Sequence, residues 1–326
     1  MGISRREFLE GAALGSAALF PAVAAEVDKK TGMPMRVLGR TGAKVSIAAF
    51  GCGSRWLMYK EEDKAAEALH KALDLGVTYV DSAFSYGNGE SESRIGKFLG
   101  KRRKDVWLVT KCNKRKGDEA MAQIEGSLKR MRTDKLDLIH IHSLTDEADL
   151  AAIEAKDGIL NVLYKLRDQK VTRAIGVSCH SDPAVLKTLL ERNDLDCTQM
   201  ALNAARQGRT RGGGALKPGE ELSYTFEEIA LPVAVRKNMG ITAMKVFAQD
   251  KIIGKAPIEK LIRYSLSLPV AAAVMGMPKL EFIEENIRIA KAFQPLPASE
   301  MKVLAQAVSE GSKVAVDKFF SNHIDA

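Results

Sequence analysis

Val77-Thr-Tyr-Val-Asp81, Val106-Trp-Leu-Val-Thr-Lys111 and Leu136-Asp-Leu-Ile-His-Ile-His142 mark one stretch, residues 77–142, whose reading decides the fold. Each is an apolar run of strand length. Between the second and third lies Asp118–Met131, where Ala120, Ile124, Leu128 and Met131 recur at three- and four-residue spacing, the period of a helix with one buried face. Strands apolar on both faces and separated by amphipathic helices are parallel strands covered by those helices. Outward from this stretch the same alternation continues. Strands are expected at Ser46–Phe50, Val77–Asp81, Val106–Lys111, Leu136–Ile141, Arg173–Ser178, Cys197–Leu202, Ile241–Met244 and Ala271–Gly276. Helices are expected at Asp63–Leu75, Ser91–Leu99, Asp118–Met131, Ile159–Gln169, Pro183–Arg192, Phe226–Asn238, Pro257–Leu266 and Glu281–Lys291. Such units, repeated over roughly 230 residues, predict an α/β chain folded as a (β/α)8 TIM barrel rather than a doubly wound sheet.

Two pieces flank the barrel. Met35–Ile47 reads as a β-hairpin turning at Gly39-Arg-Thr-Gly42 and capping the barrel bottom. Met301–Phe320 reads as an extra C-terminal helix. Arg206–Leu222, rich in Gly, Lys and Arg, reads as a long loop on the active-site face; loops of that length are usually functional.

The chemistry gathers at the strand ends. Asp81, Lys111 and His142 end or follow three consecutive strands, and Tyr86 lies in the loop after the first of them. Catalytic groups of such barrels sit on that face. A phenol has a pKa of about 10 in water, and a neighbouring ammonium lowers it by favouring the phenolate. Asp81 can hold Lys111 charged, Tyr86 can then exchange a proton with a carbonyl oxygen, and His142 can hydrogen-bond the same oxygen. Taken singly, Asp81 and Lys111 could be an ion pair at a barrel mouth, Tyr86 a loop aromatic and His142 a strand histidine; the joint arrangement favours proton delivery. Trp56 and Phe84, with Tyr59, Arg55 and Lys114 nearby, are candidates for the wall of a substrate mouth.

The N-terminus reads as an address. Ser4-Arg-Arg-Glu-Phe-Leu9 precedes an apolar stretch, Gly11–Ala25, that ends in Ala22-Val-Ala-Ala25. It is too short for a stable span, and its charged start and small-residue end make residues 1–25 a signal peptide. The paired arginines point to the twin-arginine export machinery, with cleavage after Ala24 or Ala25, periplasmic or otherwise exported delivery, and a mature barrel domain over residues 26–326. That route carries folded proteins, so a cofactor loaded before export could travel inside. The formal charge of +8 suits anionic ligands. Basic residues are spread along the chain rather than gathered on one motif, which argues against nucleic acid. Cys52, Cys112, Cys179 and Cys197 form no C-x-x-C pair.

Asp81-Ser-Ala-Phe-Ser-Tyr86-Gly87-Asn-Gly-Glu-Ser91-Glu92, then Arg94-Ile-Gly96, Thr110-Lys111, Ser127-Leu-Lys-Arg130, Asp137-Leu-Ile-His-Ile-His142 and Ile175-Gly-Val-Ser178 together resemble the signatures of the aldo-keto reductases. The resemblance runs from Met35 to about Phe293. It implies a (β/α)8 barrel that reversibly reduces aldehydes and ketones, with NADP(H) or NAD(H) as coenzyme and NADP(H) the family's preference. It implies Tyr86 as general acid/base, Lys111 and Asp81 tuning it, and His142 positioning the carbonyl. Ser178 and Gln199 match positions that hold the nicotinamide carboxamide, and Glu285 and Asn286 match an adenine-contacting pair. The chain departs from the pattern in three places. Cys179 stands where Asn usually follows Ser178, removing one amide grip. Met244 stands where an aromatic often stacks on the nicotinamide, and Lys245 beside it is a candidate for the pyrophosphate. Near Gly276–Phe282, where a 2′-phosphate is often gripped, Lys279 is the one cation, and a lone Lys does not replace an Arg clamp.

Two rival readings use the same residues. His140, His142 and His180 could offer three imidazoles to a zinc of a metal-dependent hydrolase. The chain could also be an exported nucleotide-binding barrel without turnover, since fold does not secure function.

Overall fold

The computed structural model describes residues 26–209, 222–310 and 312–321. The signal-peptide expectation, residues 1–25, and the centre of the long loop, residues 210–221, lie outside the described residues.

The chain enters through β1 (Glu26–Val27), β2 (Pro34–Val37) and β3 (Lys44–Ser46), a small antiparallel sheet. It then lays down the barrel strands β4 (Ala48–Gly51), β5 (Tyr79–Asp81), β6 (Trp107–Cys112), β7 (Leu136–Ile141), β8 (Thr172–Cys179) and β9 (Cys197–Ala201). A short antiparallel pair, β10 (Gly208–Arg209) and β11 (Tyr224–Thr225), precedes the last two barrel strands, β12 (Gly240–Met244) and β13 (Ala272–Met275). The eight barrel strands are parallel and closed, β13 pairing back onto β4. The covering helices are α1 (Glu62–Asp74), α2 (Glu90–Phe98), α3 (Gly117–Met131), α4 (Glu147–Glu154), α5 (Ile159–Asp168), α6 (Pro183–Arg192), α7 (Leu231–Arg236), α8 (Ile258–Ser267) and α9 (Leu280–Lys291). The expected (β/α)8 barrel is the observed architecture.

Alternation along each strand sorts the core into two layers. Ala49, Tyr79, Val109, Leu138, Ala174 and Cys197 point into the lumen, where Leu38 and Val45 of the hairpin close the bottom. Val80, Leu108, Ile139, Ile175 and Val177 point out against helix residues such as Leu69, Ile124, Leu163 and Leu186. Arg36 locks the hairpin in place. Buried, its Nη1 donates to Leu266 O at 3.0 Å, a carbonyl of the last turn of α8 with no helical partner, and to Val270 O at 2.7 Å in the link that follows. Burial holds its guanidinium down at about 10.

Differences from the expected elements have local causes. Ser46 pairs with Met35 in the hairpin, so the first barrel strand starts at Ala48 rather than Ser46. Helix α4 was not expected. It buries only Leu150 and Ile153, too few apolar residues to announce a face, and relies on the Asp146 carboxylate accepting from Asp149 N. The expected helix Phe226–Asn238 divides into a wide π turn, Phe226–Ala230, and the short α7, opened by the reciprocal Thr225–Glu228 cap. The single C-terminal helix is two, α10 (Ala298–Ser309) and α11 (Lys313–Ser321), because Glu310 leaves the helical region with ψ 116°.

Candidate active site

Loop and strand ends converge at the top of the barrel. Asp81 ends β5 and Lys111 lies next to the end of β6 with its side chain inside the lumen, so both are buried. The loop after β5 turns back through Gly87, Asn88 and Gly89, all left-handed at φ 64°, 51° and 92°. Glycine takes that conformation at little cost and Asn tolerates it, which explains the Gly-Asn-Gly following Tyr86. The turn brings the phenol over Lys111. The lysine Nζ donates to Asp81 Oδ1 at 2.5 Å, to Ser82 O at 3.0 Å and to Tyr86 Oη at 3.2 Å. An ammonium has three protons, and these contacts use them all. His142, just past β7, meets the Tyr86 ring edge-on with centroids 5.7 Å apart, and its Nδ1 lies 3.2 Å from Ser85 Oγ. Arg115 donates to His142 O at 2.8 Å while paired with Asp149, fixing that backbone. The four residues that the sequence singled out are therefore brought together.

The remaining motif residues mostly hold the frame. Glu92, fully buried, accepts from Thr110 Oγ1 at 2.5 Å and Arg130 Nε at 2.7 Å. Gly96 lets α2 press on α3, since a Cβ there would stand 2.1 Å from Arg130 O.

Beside the tetrad opens a cavity of ≈ 340 Å³ whose wall includes Asp81, Tyr86, Gln199, Met244, Lys245 and Gly276. The volume is that of a small-molecule pocket. Gly51, Gly53, Gln249, Asp250, Val274 and Met275 also line it, and sequence reading missed them. The turn carrying Gln249 and Asp250 is left-handed from Ala248 to Asp250 without a glycine, so no local signal announced it. Arg55, from the loop after β4, pairs with Asp250 across the mouth. Gly276 makes room for this arginine, since a Cβ there would lie 2.8 Å from Arg55 Cγ.

Other expected site residues fall elsewhere. Trp56 is fully buried, its Nε1 donating to Ala65 O at 3.0 Å and its ring edge-on to Phe50 and Phe98. An indole N–H must find an acceptor when buried, and this one turns the ring into the core, away from the cavity. Phe84 lies under the Arg130 guanidinium at 4.8 Å, held toward α3. Neither is among the cavity's lining residues. Ser178 Oγ accepts from Ser143 N at 2.8 Å, and Cys179 Sγ turns out of the lumen to Leu144 O at 3.2 Å. Lys279 is exposed at the start of α9 with Nζ 5.7 Å from the Phe282 ring centre; Glu285 is exposed and Asn286 buried, and none of the three lines the cavity.

The three histidines do not converge. His180 Nε2 lies 3.0 Å from Ser143 Oγ, His142 faces Ser85, and both nitrogens of His140 are buried without a hydrogen-bond partner. Among the described residues no His, Cys, Asp and Glu group has the arrangement to hold a metal ion. All four cysteines are buried and free. Burial pushes Cys112 up to about 11 and Cys179 up to about 12, and burial and then Asp81 push Cys52 well up, so none offers a thiolate.

Residues 47–255 match the model described as the Aldo/keto reductase family. The chain is similar to an uncharacterized oxidoreductase, YqkF, of Bacillus subtilis, with 27% identity over 83% of this chain and 95% of that protein. It is also similar to L-galactose dehydrogenase of Arabidopsis thaliana, with 30% identity over 79% of this chain and 88% of that protein. Among solved structures, aldo-keto reductase AKR11C1 of Bacillus halodurans superposes with a TM-score of 0.69 at 22% identity, covering 89% of this chain and all of that one. An aldo-keto reductase of Klebsiella pneumoniae in complex with NADPH gives 0.63 at 21% identity, covering 84% and 94%. At these identities the structures speak to the fold.

Proposed function

This chain belongs to the aldo/keto reductase family, and from that premise we propose that it is an oxidoreductase reversibly reducing aldehyde or ketone carbonyls with NADP(H), through Tyr86, Lys111, Asp81 and His142. The observation that carries the reading is the Lys111 ammonium, fully donated to Asp81, Ser82 and Tyr86.

The cavity suits such a coenzyme. Its wall offers a buried side-chain amide, Gln199, and two cations, Arg55 and Lys245. An amide and cations match an anionic dinucleotide with a carboxamide-bearing ring. Gln199, Met244, Lys245 and Gly276 would hold it, and when bound it supplies or accepts the hydride. NADP(H) is favoured over NAD(H) by the family and by the NADPH complex of the Klebsiella relative; Lys279 at the surface is the weak point of that preference.

In reduction, Tyr86 Oη gives its proton to the carbonyl oxygen. Lys111 at 3.2 Å stabilises the phenolate left behind, and Asp81 keeps the ammonium charged. His142, edge-on to Tyr86, orients the same oxygen. In oxidation the phenolate takes the proton back. Tyr86→Phe is expected to leave nucleotide affinity nearly intact and to cut carbonyl reduction by roughly two to four orders of magnitude, the usual worth of a general acid. Tryptophan-quenching titration with NADPH and NADH, then turnover on small aldehydes and quinones, measures both. Near-normal turnover removes Tyr86 from the mechanism. Nucleotide binding with no turnover in the parent chain favours the non-catalytic barrel.

We propose further that residues 1–25 direct export by the twin-arginine route. The mature protein from a periplasmic fraction is then expected to begin at Ala25 or Glu26. A chain starting at Met1 and confined to the cytosol overturns the proposal.

A further inference from the structure

Asp81 has two carboxylate oxygens, and Lys111 takes only one. Oδ2 accepts from Gln199 Nε2 at 3.0 Å. The contact crosses the lumen, because β5 and β9 stand opposite each other in the closed order of eight strands. Both residues are buried, Asp81 at 2% and Gln199 at 1% exposure, so the bond is shielded from water and strong. The acceptor also fixes the amide's orientation, since only the NH2 end can donate to a carboxylate. Gln199 Oε1 makes no hydrogen bond among the described residues, and the side chain lines the cavity beside Tyr86.

We propose that Gln199 is a positioning residue of the proton-delivery set, holding Asp81 Oδ2 so that Oδ1 faces Lys111 and part of the carboxylate's charge is spent away from it. The inference rests on the oxidoreductase reading for its meaning, though not for its test. A carboxylate that accepts an extra N–H presents less negative potential to its other neighbours. Without Gln199, Asp81 opposes the Lys111 charge more fully, and the Tyr86 phenol becomes harder to ionise. The titratable and charged groups facing this set are Cys52 and Arg55 after β4, Tyr79 and Asp81 of β5, Lys111 of β6, His140 and His142 of or after β7, and Lys245 and Asp250 on the cavity wall. All remain when Gln199 is changed.

The test is the ionisation of Tyr86 itself, read by ultraviolet difference titration with Tyr86→Phe subtracted, in the protein without added nucleotide. Gln199→Met keeps the volume and removes both amide atoms; Gln199→Leu is the second variant should the first fold poorly. The Tyr86 transition is expected to move up by about half a pH unit or more, the scale of one lost hydrogen bond to a charge. In an Asp81→Asn background the same substitution is expected to move it little. An unmoved transition with weakened NADPH binding overturns the proposal, leaving Gln199 as a ligand contact only. A parent chain that shows no NADPH oxidation whichever carbonyl is added would sink the oxidoreductase reading, while the titration would still decide the coupling.

Discussion

His140, on β7 two positions before His142, fills space that Gly176 leaves open, for a Cβ there would lie 2.7 Å from its Nδ1. Burial first, then Lys111 and then His142, hold its imidazole well below the ordinary range. It is therefore neutral at pH 7, a polar ring in the barrel where sequence reading offered a metal ligand. The unfolded chain takes up a proton at this residue near the ordinary 6.5 while the folded chain does not. The unfolded state binds more protons there, so stability is intact above about pH 6.5 and is lost as pH falls below it. His140→Leu is expected to flatten that fall and to leave stability at pH 8 unchanged or higher, since replacing an unpartnered buried polar group with an apolar one is often favourable. Urea unfolding at pH 5 and pH 8 checks it, and an equal acid loss in both proteins refutes it. The tetrad was legible because four such residues fall together at consecutive strand ends, although each alone has an ordinary structural use. Trp56 was misread because aromatic residues suit a pocket wall and a core equally well.

The element that joins β9 to β12 is where local reading ran out. Its ends are tied by β10 and β11, and by a partly buried carboxyl just beyond them. Glu227 accepts from Tyr264 Oη at 3.0 Å to each oxygen, with Arg206 Nε at 3.6 Å and Glu228 beside it. Burial pushes its carboxyl up to about 7, against the opposing pull of Arg206 and Tyr264. As pH rises past 4.5 the unfolded chain loses this proton first, so the contribution to stability is full below 4.5 and is lost as pH rises through 7. Glu227→Gln keeps an acceptor for Tyr264 and removes the titration. The stability difference between variant and parent is expected to grow in the variant's favour from pH 5 to pH 8, measured by chemical denaturation. A constant difference means that Glu227 is charged throughout. The carboxyl was invisible in the sequence because Phe226–Asn238 reads as an ordinary surface helix, and only the π turn rotates Glu227 inward against α8.

Across the whole molecule, closure of the barrel connects positions that no local pattern links. The hairpin seals the bottom through Leu38, Val45 and Arg36, whose two charge-assisted bonds are each worth about 1.5–3 kcal/mol by the usual scale for hydrogen bonds to charged groups. Among the described residues no helix is long and apolar enough to cross a membrane. The sequence by itself determined the alternation of strand and helix, the closed count of strands, and the face that carries Asp81, Tyr86, Lys111 and His142, because period and strand-end position are properties of neighbours along the chain. The tertiary structure decided the rest: that Trp56 turns into the core, that Arg55 meets Asp250 over the cavity, that the histidines stay apart, and that Gln199 reaches Asp81 from 118 residues away. Those contacts exist only once a twisted sheet has closed on itself, and the side-chain directions that closure sets carry no period to be read beforehand.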